Sequence, residues 1–174
     1  MTTTTLTPFM GRLLGLGSYA KTPPRPAKTK GKPVAAPESN GVAKEDTVAA
    51  APAELRPDMV VELVRQGLPA RSFGVLCDAF QLPQDRLARV IHLAPRTLAR
   101  RKIFKPAESE RILRLGRLFQ QATEVLGDEG EARDWLLAPA FGLGGAVPLD
   151  YAGTEVGARE VEHLLGRIDH GIFA

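Results

Sequence analysis

From about Leu55 onward the apolar residues recur three to four positions apart, and no stretch of useful length alternates with period two. The segment RPDMVVELVRQG carries a proline near its first turn and ends at Gly67. In ARSFGVLCDAFQL, the residues Phe73, Leu76, Cys77 and Phe80 share one helical face. PQDRLARVIHL and PRTLARRK read as two short helices about a tight turn. PAESERILRLGRLFQQATEVLG reads as a long helix with the stripe Ile112, Leu115, Leu118, Phe119, Ala122 and Leu126, ended by Gly127. A short helix in DEGEARDWLLAP closes at Pro139. TEVGAREVEHLLGRIDHG runs from a Thr154 cap to Gly171, with Val161, Leu164, Leu165 and Ile168 spaced i, i+3, i+4, i+7. The expectation is an all-α protein.

The first part of the chain breaks this pattern. KTPPRPAKTKGKPVAAPE, Lys21 to Glu38, is rich in Pro, Lys and Ala and has too little apolar surface to offset the entropy of ordering. Residues 1–52 are therefore expected to be a disordered tail. FMGRLLGLGSYA is weakly apolar, but Arg12 interrupts it and no basic stretch precedes it, so a secretory signal is disfavoured. The 174 residues, 44% of them hydrophobic, suffice for one domain or two small ones. The single cysteine, Cys77, cannot form an internal disulfide, which fits a reducing, cytoplasmic setting. No apolar run approaches the ~18 residues of a membrane helix, so a membrane is not an expected partner.

Charge divides the rest of the chain. Residues 84–118 hold ten basic and three acidic side chains, a net +7. Residues 119–174 hold three and ten, a net −7. A basic middle suits nucleic acid, and an acidic end would be repelled by it, so the two parts call for different partners.

Leu87 to Arg101 has the spacing of a helix-turn-helix. Leu87, Ala88 and Ile91 face inward from the first helix, with small Ala88 allowing close approach. Leu93 fills the turn and Leu98 anchors the second helix. This leaves Arg96, Thr97, Arg100 and Arg101 outward or nearly so, followed by Lys102: donors for guanine edges and phosphates on one face. Arg89 on the first helix, with Lys105, Arg111 and Arg114, adds candidate phosphate contacts. The turn position usually held by glycine is His92, one of the side chains tolerated at positive φ. The competing reading is a solvated basic face on an ordinary helical bundle.

LGGAVPLD, Leu143 to Asp150, raises the possibility of a phosphate loop. Such a loop should follow a strand and open a helix, usually with a lysine. Here it follows a helix and Pro139, with no lysine and no GxGxxG. It reads instead as a turn between short helices, with Gly144 and Gly145 supplying backbone freedom and Pro148 starting the next helix. An enzyme using a nucleotide rests on this glycine pair alone. His92, His163 and His170 form no metal-ligand set, Ser72 and Ser109 have no positioned base, and Cys77 lies on an apolar stripe. No catalytic residue, metal or cofactor is assigned. Trp135, the one tryptophan, is expected mainly to pack, with a partner hot spot as the sharper reading.

From about Gly67 to Gly171 the chain resembles the Xre/MbcA/ParS-type antitoxins of bacterial toxin–antitoxin pairs. The landmarks, in order, are RTLARR, ESERILRL, Ala132 with Trp135 and Leu136, LGG..PLD, and GT..G...V..LL.RI.HG. The resemblance implies an Xre-like helix-turn-helix domain over 53–118 and a small helical toxin-binding domain over 119–174. It implies an antitoxin, not an enzyme, that binds and blocks a RES-domain toxin consuming NAD or transferring ADP-ribose. It also implies binding to the operator of its own operon, with homodimerisation suggested by paired half-sites. By the same resemblance Trp135, Leu143, Gly144, Gly145, Pro148, Leu149, Gly157, Val161, Leu165, Ile168 and Gly171 belong to the toxin-binding domain, Val161, Leu165 and Ile168 as core. The apolar terminus HGIFA, with Ile172 and Phe173, is a candidate to reach into a partner's cleft. The alternative is a stand-alone helix-turn-helix regulator whose C-terminal domain serves dimerisation. The long N-terminal tail departs from the family pattern.

Overall fold

The computed structural model of the protein describes residues 7–16, 57–98 and 100–172. Among them the elements are α1 (Pro8–Leu13), α2 (Pro57–Gln66), α3 (Ala70–Phe80), α4 (Gln84–Val90), α5 (Pro95–Leu98), α6 (Pro106–Leu126), α7 (Glu129–Leu137), a 3₁₀ turn (Phe141–Leu143), α8 (Pro148–Tyr151) and α9 (Glu155–Asp169). The described residues contain no strand, only one isolated antiparallel bridge between Pro69 and Ile103. The all-α expectation holds.

The 21-residue α6 is the axis of the fold. Glu108 closes its first turn by accepting the backbone N–H of Lys105 at 2.8 Å, and Gly127 ends it at φ +102°. Its buried stripe of Ile112, Leu115, Leu118, Phe119 and Ala122 meets α3 through Phe80, whose ring centroid lies 5.1 Å from that of Phe119. The same helix packs against α7 and α9. One apolar cluster therefore runs from Phe73, Phe80 and Leu87 through Ile112 and Leu118 to Leu136, Leu149, Val161 and Leu165. The expected boundary at 118/119 falls inside α6, so both halves share a helix and a core.

One expectation is corrected. Residues 7–16, assigned by composition to a disordered tail, form α1 and enter the core. Thr7 caps the helix by accepting the N–H of Met10 at 3.4 Å, and Pro8 occupies the first turn. Phe9, Met10, Leu13 and Leu14 are buried, and the ring of Phe9 lies 5.2 Å from that of Phe119. α1 approaches α6 at Gly116, where an added Cβ would stand 2.1 Å from Leu13 Cδ2. Arg71 fixes its far end by donating to the Gly15 carbonyl at 2.8 Å. Residues 17–56, which include the Pro/Lys/Ala-rich stretch, lie outside the described residues.

Candidate nucleic-acid and partner interfaces

α4 and α5 flank the expected turn. Leu87, Ala88, Ile91 and Leu93 are buried, Leu98 is half-buried against the core, and His92 adopts φ +52°. Arg89, Arg96, Arg100 and Lys102 are exposed, and Thr97 is half-buried beside them. Among the described residues, none of these four cations enters an ion pair. Arg96, Thr97, Arg100 and Arg101 border one shallow depression together with Ala94. Of these, Arg96 and Arg100, in no ion pair among the described residues, present the donors that phosphate and guanine contacts require.

The second helix is shorter than expected, a single turn, with Arg100 in the turn beyond it. Arg101 is corrected too. It is half-buried and donates to Glu108 at 3.1 Å, so it ties the turn to α6 rather than standing free. Arg111 and Arg114 are likewise engaged. Arg111 donates to the Ile91 carbonyl at 3.0 Å, and Arg114 pairs with Glu155 at 2.8 Å. Arg86 pairs with Asp150 at 2.7 Å. Two of these contacts reach the acidic half, and a third backbone approach joins them: a Cβ at Gly153 would lie 2.9 Å from the Val90 carbonyl oxygen. The turn between α8 and α9 thus sits directly on the end of α4.

In the acidic half, LGGAVPLD forms the expected turn. Gly144 and Gly145 take φ +66° and +84°, and Pro148 opens α8. The N–H groups of Leu143, Gly144, Gly145 and Ala146 donate to the carbonyls of Ala140, Phe141, Ala140 and Leu143, at 3.1, 2.9, 3.0 and 3.3 Å. Ala140 N–H in turn donates to Ala146 O at 3.0 Å, closing the loop on itself. A phosphate cradle needs free amide donors, and these are consumed internally.

The residues expected in the toxin-binding domain divide by burial. Pro148, Leu149 and Gly157 are buried and hold the frame; a Cβ at Gly157 would meet the Tyr151 carbonyl oxygen at 1.9 Å. Trp135 and Leu143 are half-buried against the core; Ile168, which was expected in the core, is half-buried. Val161 and Leu165 are fully buried. Ile172 is 60% exposed, on backbone fixed by Ile172 N–H to Arg167 O at 2.8 Å and Gly171 N–H to Ile168 O at 3.0 Å. Phe173 lies outside the described residues. Sequence reasoning passed over Phe141, the most exposed large apolar side chain described, at 88%. Its only signal was an aromatic with no helical partner, set between Pro139 and Gly142.

Cys77 is buried, and burial together with nearby Asp78 pushes its thiol up to about 11. Such a thiol stays protonated at neutral pH and is a poor nucleophile. Ser109 Oγ accepts the Leu68 N–H at 2.9 Å, a structural role. Among the described residues, no three His, Cys, Asp or Glu side chains converge on a possible metal site, and no helix is long and apolar enough to cross a membrane.

Comparison with known proteins places these two halves. Residues 59–117 match the family described as the antitoxin Xre-like helix-turn-helix domain. Residues 121–171 match the antitoxin Xre/MbcA/ParS C-terminal toxin-binding domain. The chain is 35% identical over 129 residues to antitoxin Xre of Yersinia enterocolitica, covering 62% of this chain and 87% of that one. It is 31% identical over 117 residues to antitoxin Xre of Photorhabdus laumondii, covering 64% and 79%. With a helix-turn-helix carrying unpaired cations, a family toxin-binding unit built on the same core, and relatives matched over most of their length, the chain belongs to the Xre family of toxin–antitoxin antitoxins.

Proposed function

We propose that this antitoxin neutralises a RES-domain toxin by stoichiometric binding through its acidic half, and represses its own operon through its helix-turn-helix. The toxin's chemistry is the consumption of NAD or the transfer of ADP-ribose, and the antitoxin contributes restraint rather than catalysis. The RES assignment rests on the ordered landmarks shared with the Xre/MbcA/ParS-type antitoxins. The observation that carries the DNA reading is the cluster of exposed cations that, among the described residues, have no ion-pair partner, Arg89, Arg96, Arg100 and Lys102, around the His92 turn. Arg96, Thr97 and Arg100 are the readers in this account, Arg89 and Lys102 the phosphate contacts, and Arg101 the residue that holds the turn. A homodimer acting in the cytoplasm on paired half-sites completes the reading.

Within the acidic half, Ile172 and Phe173 reach the toxin, while Pro148, Leu149 and Gly157 serve the fold. Co-expression with the adjacent gene product tests the proposal. That product alone should arrest growth and deplete NAD or modify a target with ADP-ribose, and this chain should restore growth. A harmless neighbour would leave a stand-alone regulator as the better reading. A neighbour toxic by other chemistry would remove the RES assignment. Deletion of 172–174 with full neutralisation retained would remove the terminus from the interface.

A further inference from the structure

We infer that Phe141 is a principal anchor for the toxin, presented on a preorganised turn. The inference rests on the toxin-binding role of the acidic half and not on which reaction the toxin performs.

Phe141 begins the 3₁₀ turn after Pro139, and its side chain is 88% exposed. Leaving a phenyl ring in water forgoes the favourable burial of a large apolar side chain, and the ring does not join the core. The backbone that carries it is nevertheless tightly fixed. The Phe141 carbonyl accepts Gly144 N–H at 2.9 Å. Its neighbour Ala140 accepts two N–H groups and donates one. The next residue, Gly142, is seated on α9, where an added Cβ would stand 2.7 Å from Leu164 Cδ1. The turn therefore holds one position and points its aromatic outward. Little ordering entropy remains to be lost on binding, which is the condition under which a single aromatic contributes most to affinity.

The occupant follows from the location. Phe141 lies inside the unit, residues 121–171, that matches the toxin-binding domain. Trp135 precedes it in α7, but Trp135 is already packed on the core and the Phe141 ring is not. Leu164, against which the turn rests, is followed in α9 by half-buried Ile168, and exposed Ile172 lies just beyond the end of that helix. The partner surface expected is an apolar pocket for the ring on a basic protein, since residues 119–174 carry ten acidic side chains against three basic ones and only Asp150 and Glu155 of them pair with the basic half among the described residues.

Phe141→Ala in the full chain tests this, with the purified product of the adjacent gene as the probe. Affinity is read by calorimetry, the fold by thermal melting, and operator binding in parallel. The expected result is binding weakened by about 30-fold or more, with melting and operator binding unchanged. Phe141→Leu should recover part of the loss. Val156→Ala, which truncates a 73% exposed apolar residue at the start of α9, should bind as wild type. Wild-type binding with Phe141→Ala within about threefold of it overturns the inference alone. A wild-type chain that fails to bind the probe overturns the inference together with the toxin-binding reading beneath it.

Discussion

The basic and acidic halves present their working surfaces in opposite ways. Around α4 and α5 the exposed groups are long cations on a short helix and the turns beside it. In the turn after α7 the exposed group is a rigid aromatic on backbone that satisfies its own hydrogen bonds. The +7 and −7 of the sequence suggest two independent fields, but the fold cancels part of each against the other. Arg86 meets Asp150 and Arg114 meets Glu155, so some of the charge contrast is internal to the molecule. What remains exposed and without an ion pair on the basic side, among the described residues, is the smaller set Arg89, Arg96, Arg100, Lys102, Lys105 and Arg117. A charge block in a sequence thus bounds the number of DNA contacts from above. The number available is set by which cations the neighbouring domain has already paired.

The strongest way to break the contrast is to spoil the frame of the acidic half. Gly157→Val places a side chain where the Tyr151 carbonyl oxygen lies 1.9 Å from an ideal Cβ, so backbone must move. The expected loss is about 3 kcal/mol or more, read as a lowered denaturation midpoint, with partner binding lost alongside. A smaller loss, about 2–3 kcal/mol, is expected for Leu13→Ala, which leaves a cavity between α1 and Gly116. Chemical denaturation should show one transition in both variants, because the halves share α6 and its core. An unchanged midpoint for Leu13→Ala would mean that α1 does not support the fold.

Sharper tests leave the fold alone. Arg96→Ala with Arg100→Ala should leave melting within about 0.5 kcal/mol of wild type and weaken operator binding. The slope of log affinity against log salt should shrink by about 1.8 instead for Arg89→Ala with Lys102→Ala, the two phosphate contacts. An unchanged slope would assign the contact to other residues. The smallest effect is expected for Asp150→Asn, which breaks the pair with Arg86 where both side chains are substantially exposed, at 39% and 43%. A loss of no more than about 1 kcal/mol is expected, diminishing as salt rises. A much larger loss would mean that this contact, not the shared core, joins the halves.

The helical stripes of α3, α6 and α9, the positive φ of His92 and the glycine turn were all legible, because each depends on residues close in sequence. α1 was partly legible. Thr7 and Pro8 form a helix start, and Phe9, Met10, Leu13 and Leu14 have helical spacing, but the Pro- and Lys-rich composition that follows outweighed six helical residues. The roles of Arg101, Arg86 and Arg114 were not legible. Each depends on a partner brought in by folding, and for Arg86 that partner lies 64 positions away. Phe141 was hidden for the opposite reason: nothing in a sequence marks a side chain that the fold leaves uncovered.

The central claim is that one body carries two separable binding faces. A crossed comparison tests it most directly: the wild type, the Arg96→Ala/Arg100→Ala chain and the Phe141→Ala chain, each titrated with operator DNA and with the adjacent gene's product. The arginine variant should lose DNA and keep the partner, and the phenylalanine variant should do the reverse. Loss of both ligands in either variant, with melting unchanged, would contradict it.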